Sequence, residues 1–121
     1  MNDPEMIASA PAEWFVVATG VAATVTANRP AEASRTHFIT GVSSSASGAP
    51  AAAQAVQVQD GATTIDRYEL PASAFAPIIA NFPRPYECTN NQAAQITVPS
   101  LGAGITCTVT IRGFTRMSPA T

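Results

Sequence analysis

Catalysis in this sequence would have to start from His37, Cys88, Cys107 or a pair drawn from its eight acidic residues. A nucleophile–base site needs a serine, threonine or cysteine held against a positioned base, and His37 is the only histidine. It falls in the run Arg35-Thr36-His37-Phe38-Ile39-Thr40, whose alternation gives it a strand-packing or surface role rather than a catalytic one. Cys107 stands among Ile105, Val109 and Ile111 at period two, and a thiol in apolar surroundings is inert. Cys88 follows Tyr86-Glu87 and has only Arg84 as a nearby cation, which gives it little activation. A glycosidase would need paired carboxylates, and the candidates are Asp60, Asp66, Glu69 and Glu87. Asp60 is accounted for by a turn. Asp66 and Glu69 lie three positions apart, on opposite faces of one strand.

Metal and cofactor chemistry is equally thin. Two cysteines and one distant histidine are too few ligands for zinc. Calcium wants six or more oxygens from a concentrated acidic loop, and no such loop is present. Gly102-Ala103-Gly104 precedes a strand rather than a helix, so it is no phosphate loop. The residues point to a protein that is not an enzyme and carries no cofactor and no metal. A binding surface stays open, because Trp14, Tyr68 and Tyr86 are the kind of aromatics that carbohydrate readers display. Against that, a domain with eight aromatic residues needs most of them in its core.

The elements that would position these residues are short strands. Trp14-Phe15-Val16-Val17-Ala18 is aromatic and β-branched, with Gly20 as an interruption before Val21, Ala23 and Val25 alternate. Asn28-Arg29-Pro30 opens a loop. Arg35 to Ser43 reads as a strand with Phe38, Thr40 and Val42 on one face and His37 and Ile39 on the other. Ser43 to Pro50 reads as an exposed loop. Val56 and Val58, then Asp60-Gly61, then Ala62 to Leu70 form a hairpin signal of the type I′ kind, with both central residues at positive φ. Residues 71–77 allow one helical turn at Ala72 to Ala76. Ile78 to Phe82 is a short strand that Pro83 and Pro85 place at an edge or end in a bulge. Gln95 to Val98 alternates. In the last strand Ile105, Cys107, Val109 and Ile111 take one face and Thr106, Thr108, Thr110 and Arg112 the other, as a half-buried strand requires. About eight strands without a helical stripe predict an all-β antiparallel sandwich or jelly roll over residues 13–116. Residues 1–12 form an extended N-terminal arm and 117–121 a short tail.

Composition bounds the partners. The chain has 121 residues, enough for one domain that buries a core without staples. Only 12% of residues are charged, about half the usual share, and all six basic residues are arginine. A neutral surface of short side chains suits contact with neighbouring subunits, since few charges must be desolvated. Biased codon usage gives the same composition. A net charge of −2 and scattered arginines argue against nucleic acid. No apolar run reaches the roughly 20 residues of a membrane span. The start, Met1-Asn2-Asp3-Pro4-Glu5, lacks the basic and apolar parts of a signal peptide, so assembly in the cytoplasm is expected. There two free, buried thiols are the default, with a disulfide open if Cys88 and Cys107 face each other on adjacent strands.

Four stretches in order carry a resemblance. They are Arg35-Thr36-His37-Phe38-Ile39-Thr40-Gly41-Val42-Ser43, Val56-Gln57-Val58-Gln59-Asp60-Gly61-Ala62, Phe82-Pro83-Arg84-Pro85, and Ile105 to Phe114. Over residues 35–115 the chain resembles small β-sandwich virion proteins of tailed phages, of the capsid cement or decoration type. The resemblance implies a homo-oligomer, a trimer by preference, on the outside of a phage head. It would bind the major capsid protein at subunit junctions and brace the shell against the pressure of packaged DNA. It brings no catalytic residues. The N-terminal arm would then reach across a neighbour, which makes Pro4, Met6, Ile7 and Trp14 the expected interface residues. The alternative is a receptor- or glycan-binding module of a phage tail or fibre, working through Trp14 or Tyr86. A small hydrolase would instead need Cys88 or His37.

Overall fold

The computed structural model describes residues 12–72 and 77–117. Within them the chain forms eight strands and no helix: β1 (Ala12–Val21), β2 (Val25–Arg29), β3 (Arg35–Ala46), β4 (Gln54–Asp60), β5 (Thr63–Leu70), β6 (Ile78–Glu87), β7 (Ala94–Val98) and β8 (Thr106–Met117). They build two four-stranded antiparallel sheets. Sheet A has the order β1-β8-β3-β6 and sheet B the order β2-β7-β4-β5. Only β4 and β5 are neighbours in both sequence and space; every other pairing joins distant segments, which is the wrapping of a jelly roll. The expected all-β sandwich is what the chain forms.

The core is the space between the sheets. Ile39, Val42, Val109 and Ile111 from sheet A meet Val56, Val58, Ile96 and Val98 from sheet B, all fully buried. Burying each such side chain stabilises the fold by about 1.5–3 kcal/mol relative to leaving it in water. The alternation of β7 and β8 follows from this. Cys107, Val109 and Ile111 point inward and Thr106, Thr108 and Thr110 outward, as their pattern predicts.

Irregularities change several local expectations. In β3 the register against β8 shifts between Ile39 and Gly41, leaving Thr40 as an extra residue. That bulge reverses the parity, so Val42 joins His37 and Ile39 on the core side instead of sharing a face with Phe38. β3 also continues to Ala46 through the serines expected in a loop. The hairpin loop is Gly61-Ala62, because Asp60 already pairs with Thr63. Among its residues only Gly61 has positive φ, at 60°, which is the pattern of a type II′ turn rather than type I′. β1 runs unbroken through Gly20 and begins at Ala12, while β8 takes in Met117.

β6 is an edge strand, as its prolines require, but it does not stop at them. Against β3, Ile39 pairs with Tyr86 and Gly41 with Asn81, so Phe82-Pro83-Arg84-Pro85 faces the single residue Thr40. Two prolines without N–H groups fit a segment that makes no regular ladder. Cys88 and Cys107 are both free and buried, so the default of two thiols holds. Residues 73–76 of the expected helical turn, the arm before Ala12 with Pro4, Met6 and Ile7, and the tail after Met117 lie outside the described residues.

Candidate functional site

Sheet A has the longer strands of the two sheets, and the register of its outer face can be read as rows. One row runs Val17, Thr110, Ser43, Ile79; the next runs Phe15, Arg112, Gly41, Asn81; a third runs Glu13, Phe114, Phe38, Glu87. The middle of the face carries short hydroxyl side chains, Thr108, Thr110, Ser43 and Ser45, toward one end and Arg112, Phe38 and Phe114 toward the other. Its two edges carry apolar ones: Phe15 is 73% exposed, Val17 50% and Val21 55% on β1, and Ile79 is 72% exposed on β6. Thr19 and Thr108 share a hydrogen bond of 3.1 Å across β1 and β8.

Arg112 lies flat on this face. Any side chain at residue 41 would run into its guanidinium, so Gly41 makes the room, and Nη2 donates to Asn81 Oδ1 at 2.9 Å. A shallow hollow of about 610 Å³ opens beside it, lined by Glu13, Phe15, Thr40, Thr110, Arg112 and Phe114 among others. Next to the hollow, Phe38 stacks on Phe114 with centroids 4.8 Å apart, and the Arg116 guanidinium sits 5.6 and 5.1 Å from those two rings. Gly113 lets β8 lie this close to β3 beside the stack, because a Cβ there would collide with the Phe38 carbonyl oxygen. The sequence motifs around His37-to-Gly41 and Gly113-Phe114 therefore pack against each other.

On the inner side of the same strands, His37 is buried at 1% exposure and bonded at both nitrogens. The Trp14 indole Nε1–H donates to Thr115 Oγ1 at 2.8 Å, and that hydroxyl lies 2.7 Å from His37 Nδ1. His37 Nε2 lies 2.7 Å from the Pro30 carbonyl oxygen. A carbonyl only accepts, so Nε2 carries the hydrogen, and Thr115 has its own hydrogen left for Nδ1. The Trp14 ring meets the imidazole edge-on at 5.8 Å and has the Arg29 guanidinium 5.6 Å from its centroid. A hydroxyl beside an imidazole has the composition of a nucleophile–base pair. Here both residues are buried among β1, β3 and β8, and the pair braces Trp14.

A second concavity, of about 640 Å³, lies between β5 and β6, the open edges of the two sheets on one side of the sandwich. Ile65, Phe82, Pro83 and Pro85 give it an apolar floor, and Asp66, Arg84, Tyr86 and Glu87 rim it. Asp66 accepts from the Tyr68 hydroxyl at 2.6 Å and from the Arg67 amide at 2.9 Å. Burial, with that bond and the Asp66 charge, pushes the Tyr68 hydroxyl up to about 12. Tyr86 is raised too, by burial first and then by the Asp60 charge.

The other candidate residues take structural positions. Asp60 accepts from the Thr89 amide and hydroxyl, both at 2.9 Å, and so ties the end of β4 to the loop after β6. Glu69 pairs with Arg67 on the exposed side of β5. Burial, then the Asp60 charge, pushes the Cys88 thiol up to about 12, and burial raises Cys107. Among the described residues no cluster of three or more histidine, cysteine or acidic side chains is arranged to hold a metal ion. Trp14, expected at an interface, faces inward and is half-buried. Phe15 and Ile79, which the sequence reading did not single out, hold the exposed positions. The signal was present in the β1 alternation, where Phe15, Val17 and Val21 form an apolar set opposite Trp14, Val16 and Ala18. Both faces of that strand are apolar.

No family model and no curated protein sequence matches the chain. Among solved structures it is similar to a carbohydrate-binding module described as CBM36 in complex with calcium and xylotriose. The two share 18% identity over 79% of this chain and 77% of the other, with a TM-score of 0.44. It is also similar to the CBM36-1 domain of a multidomain xylanase from the hindgut metagenome of Trinervitermes trinervoides, at 12% identity, 90% and 98% coverage and a TM-score of 0.40. These values describe a loose likeness and carry no site residue onto this chain.

Proposed function

We propose that this chain is a non-catalytic assembly module, a structural protein of a phage particle that docks through the outer face of sheet A. The observation that carries the reading is the make-up of that face. Its centre combines threonine and serine with Arg112 and the Phe38–Phe114 pair, and its β1 and β6 rims expose Phe15, Val17, Val21 and Ile79. The apolar rims of such a face gain contact when covered. The virion setting comes from the motif resemblance, and jelly rolls serve viral capsids and lectins alike. The partner in this reading is the major capsid protein, at the head surface.

Co-sedimentation with assembled phage shells tests it. The wild-type chain is expected to pellet with expanded, DNA-filled shells, and a Phe15→Glu/Ile79→Glu variant to stay in the supernatant with an unchanged circular dichroism spectrum. A folded wild-type chain that binds no shell overturns the reading.

One observation favours a second reading, glycan recognition. In the β5–β6 concavity the Tyr86 ring is exposed beside Asp66, Arg84 and Glu87. An aromatic face next to hydrogen-bonding charges suits a sugar ring. Glycan-array binding abolished by Tyr86→Ala would support it, and a blank array would remove it.

A further inference from the structure

We infer that β1 pairs edge to edge with β1 of a second copy of this chain, giving an antiparallel dimer with a continuous eight-stranded sheet A. This rests on the assembly reading and names one partner of that surface. The argument begins with the four strand edges of the sandwich. An open edge presents unpaired N–H and C=O groups and is normally blunted by charge, proline, irregularity or shortness. β6 carries Pro83, Pro85 and the bulge they sit in. β5 carries Asp66, Arg67 and Glu69. β2 has only five residues. β1 has ten residues, no proline, no lysine and no register shift against β8, and its one charge is Glu13 near the end.

The side chains of β1 match this. Phe15, Val17 and Val21 stand exposed on the outer face, while Trp14, Val16 and Ala18 on the inner face are only partly covered, although the residues beside them on β8 are buried. A strand with apolar side chains uncovered on both faces is an edge that expects a neighbour. Its main-chain groups require that neighbour to be a strand.

β1 itself meets the requirements. Antiparallel pairing about a twofold axis at Val17 overlaps residues 13 to 21 and keeps odd positions on the outer face of both copies. Phe15 then lies beside Thr19 of the second copy and Val17 beside its own equivalent. Trp14 lies opposite Gly20, the largest inner side chain against the smallest. Glu13 lies opposite Val21, so no like charges meet. The two apolar stripes merge into one band at the centre of the enlarged face that the assembly reading places against the shell.

Cysteine cross-linking of the full chain tests the register directly. Val17→Cys is expected to give a disulfide-linked dimer under mild oxidation, because residues paired across antiparallel strands come within disulfide reach. Thr19→Cys is expected to give none, because the two copies of residue 19 lie roughly 14 Å apart along the strands. Cys88 and Cys107 are buried and leave the wild-type background uncross-linked. In sedimentation the wild type is expected at the mass of two chains and Val17→Lys, which sets two ammonium groups against each other, at the mass of one. A folded wild type at the mass of one or three chains overturns the inference, as does Thr19→Cys cross-linking as well as Val17→Cys. A monomer that still binds shells removes self-pairing and keeps the assembly reading; a dimer that ignores shells does the reverse.

Discussion

Thr115 connects Trp14, an interface candidate in the sequence, with His37, which the sequence assigns to strand packing or the surface. Its hydroxyl accepts from the Trp14 indole and lies against His37 Nδ1. Both aromatic residues are thereby fixed in place within the strand pair. Thr115→Val keeps the shape and removes both bonds, leaving polar nitrogens unpartnered in the interior. It is expected to cost about 2–3 kcal/mol in urea unfolding, since an orphaned buried donor or acceptor costs about 1–3 kcal/mol. Exposed Thr19→Val is expected to change little. Cys88 offers a test at the same scale. Its thiol is held protonated up to about pH 12 in the fold, whereas in the unfolded chain it ionises near 9. The contribution of this thiol to stability is therefore constant up to about pH 9 and falls as the pH rises toward 12, because only the unfolded state gives up the proton. Tyr68, pushed up to about 12 from an ordinary 10, adds loss of the same sign. Unfolding midpoints across this range should decline for the wild type and decline less for Cys88→Ala. Thiol-labelling reagents at pH 8 should leave both cysteines unmodified until the chain unfolds.

Elements with a uniform alternation are legible from sequence, and those with a bulge are not. β7 and β8 are read correctly residue by residue because nothing disturbs their period. β3 is misread beyond Thr40 because one extra residue reverses every later side chain, and the cause lies in β8 and β6, far away in sequence. β6 is cut short at Pro83 because the residues do not say that a strand can resume at Tyr86 after an unpaired segment. The hairpin is found but its turn type is not, since Asp-Gly satisfies either kind and the register decides. The outer face of sheet A escapes a sequence reading for the same reason. Phe15, Arg112, Gly41 and Asn81 make one row only after three non-local pairings are known. Gly113 belongs to this scale as well. A methyl group at that position collides with the Phe38 carbonyl, so Gly113→Ala is expected to cost about 3 kcal/mol or more and to break the Phe38–Phe114 stack. Thermal unfolding and aromatic-region NMR shifts would register both effects.

At the scale of the whole molecule, a sparsely charged jelly roll carries its exposed apolar groups at the margins of one sheet and leaves its only imidazole buried. This distribution fits the assembly role proposed for the chain. Low charge, read from composition alone, pointed the same way, whereas the face and the edge that express it needed the fold. The central claim concerns where that face is in a particle. Density from a whole phage particle tests it most directly, by fitting the sandwich and asking what lies against Phe15, Val17 and Ile79. The expected result is a copy on the head surface with the outer face of sheet A covered by capsid protein. A particle that lacks the chain, or holds it with that face turned to solvent, would contradict the account.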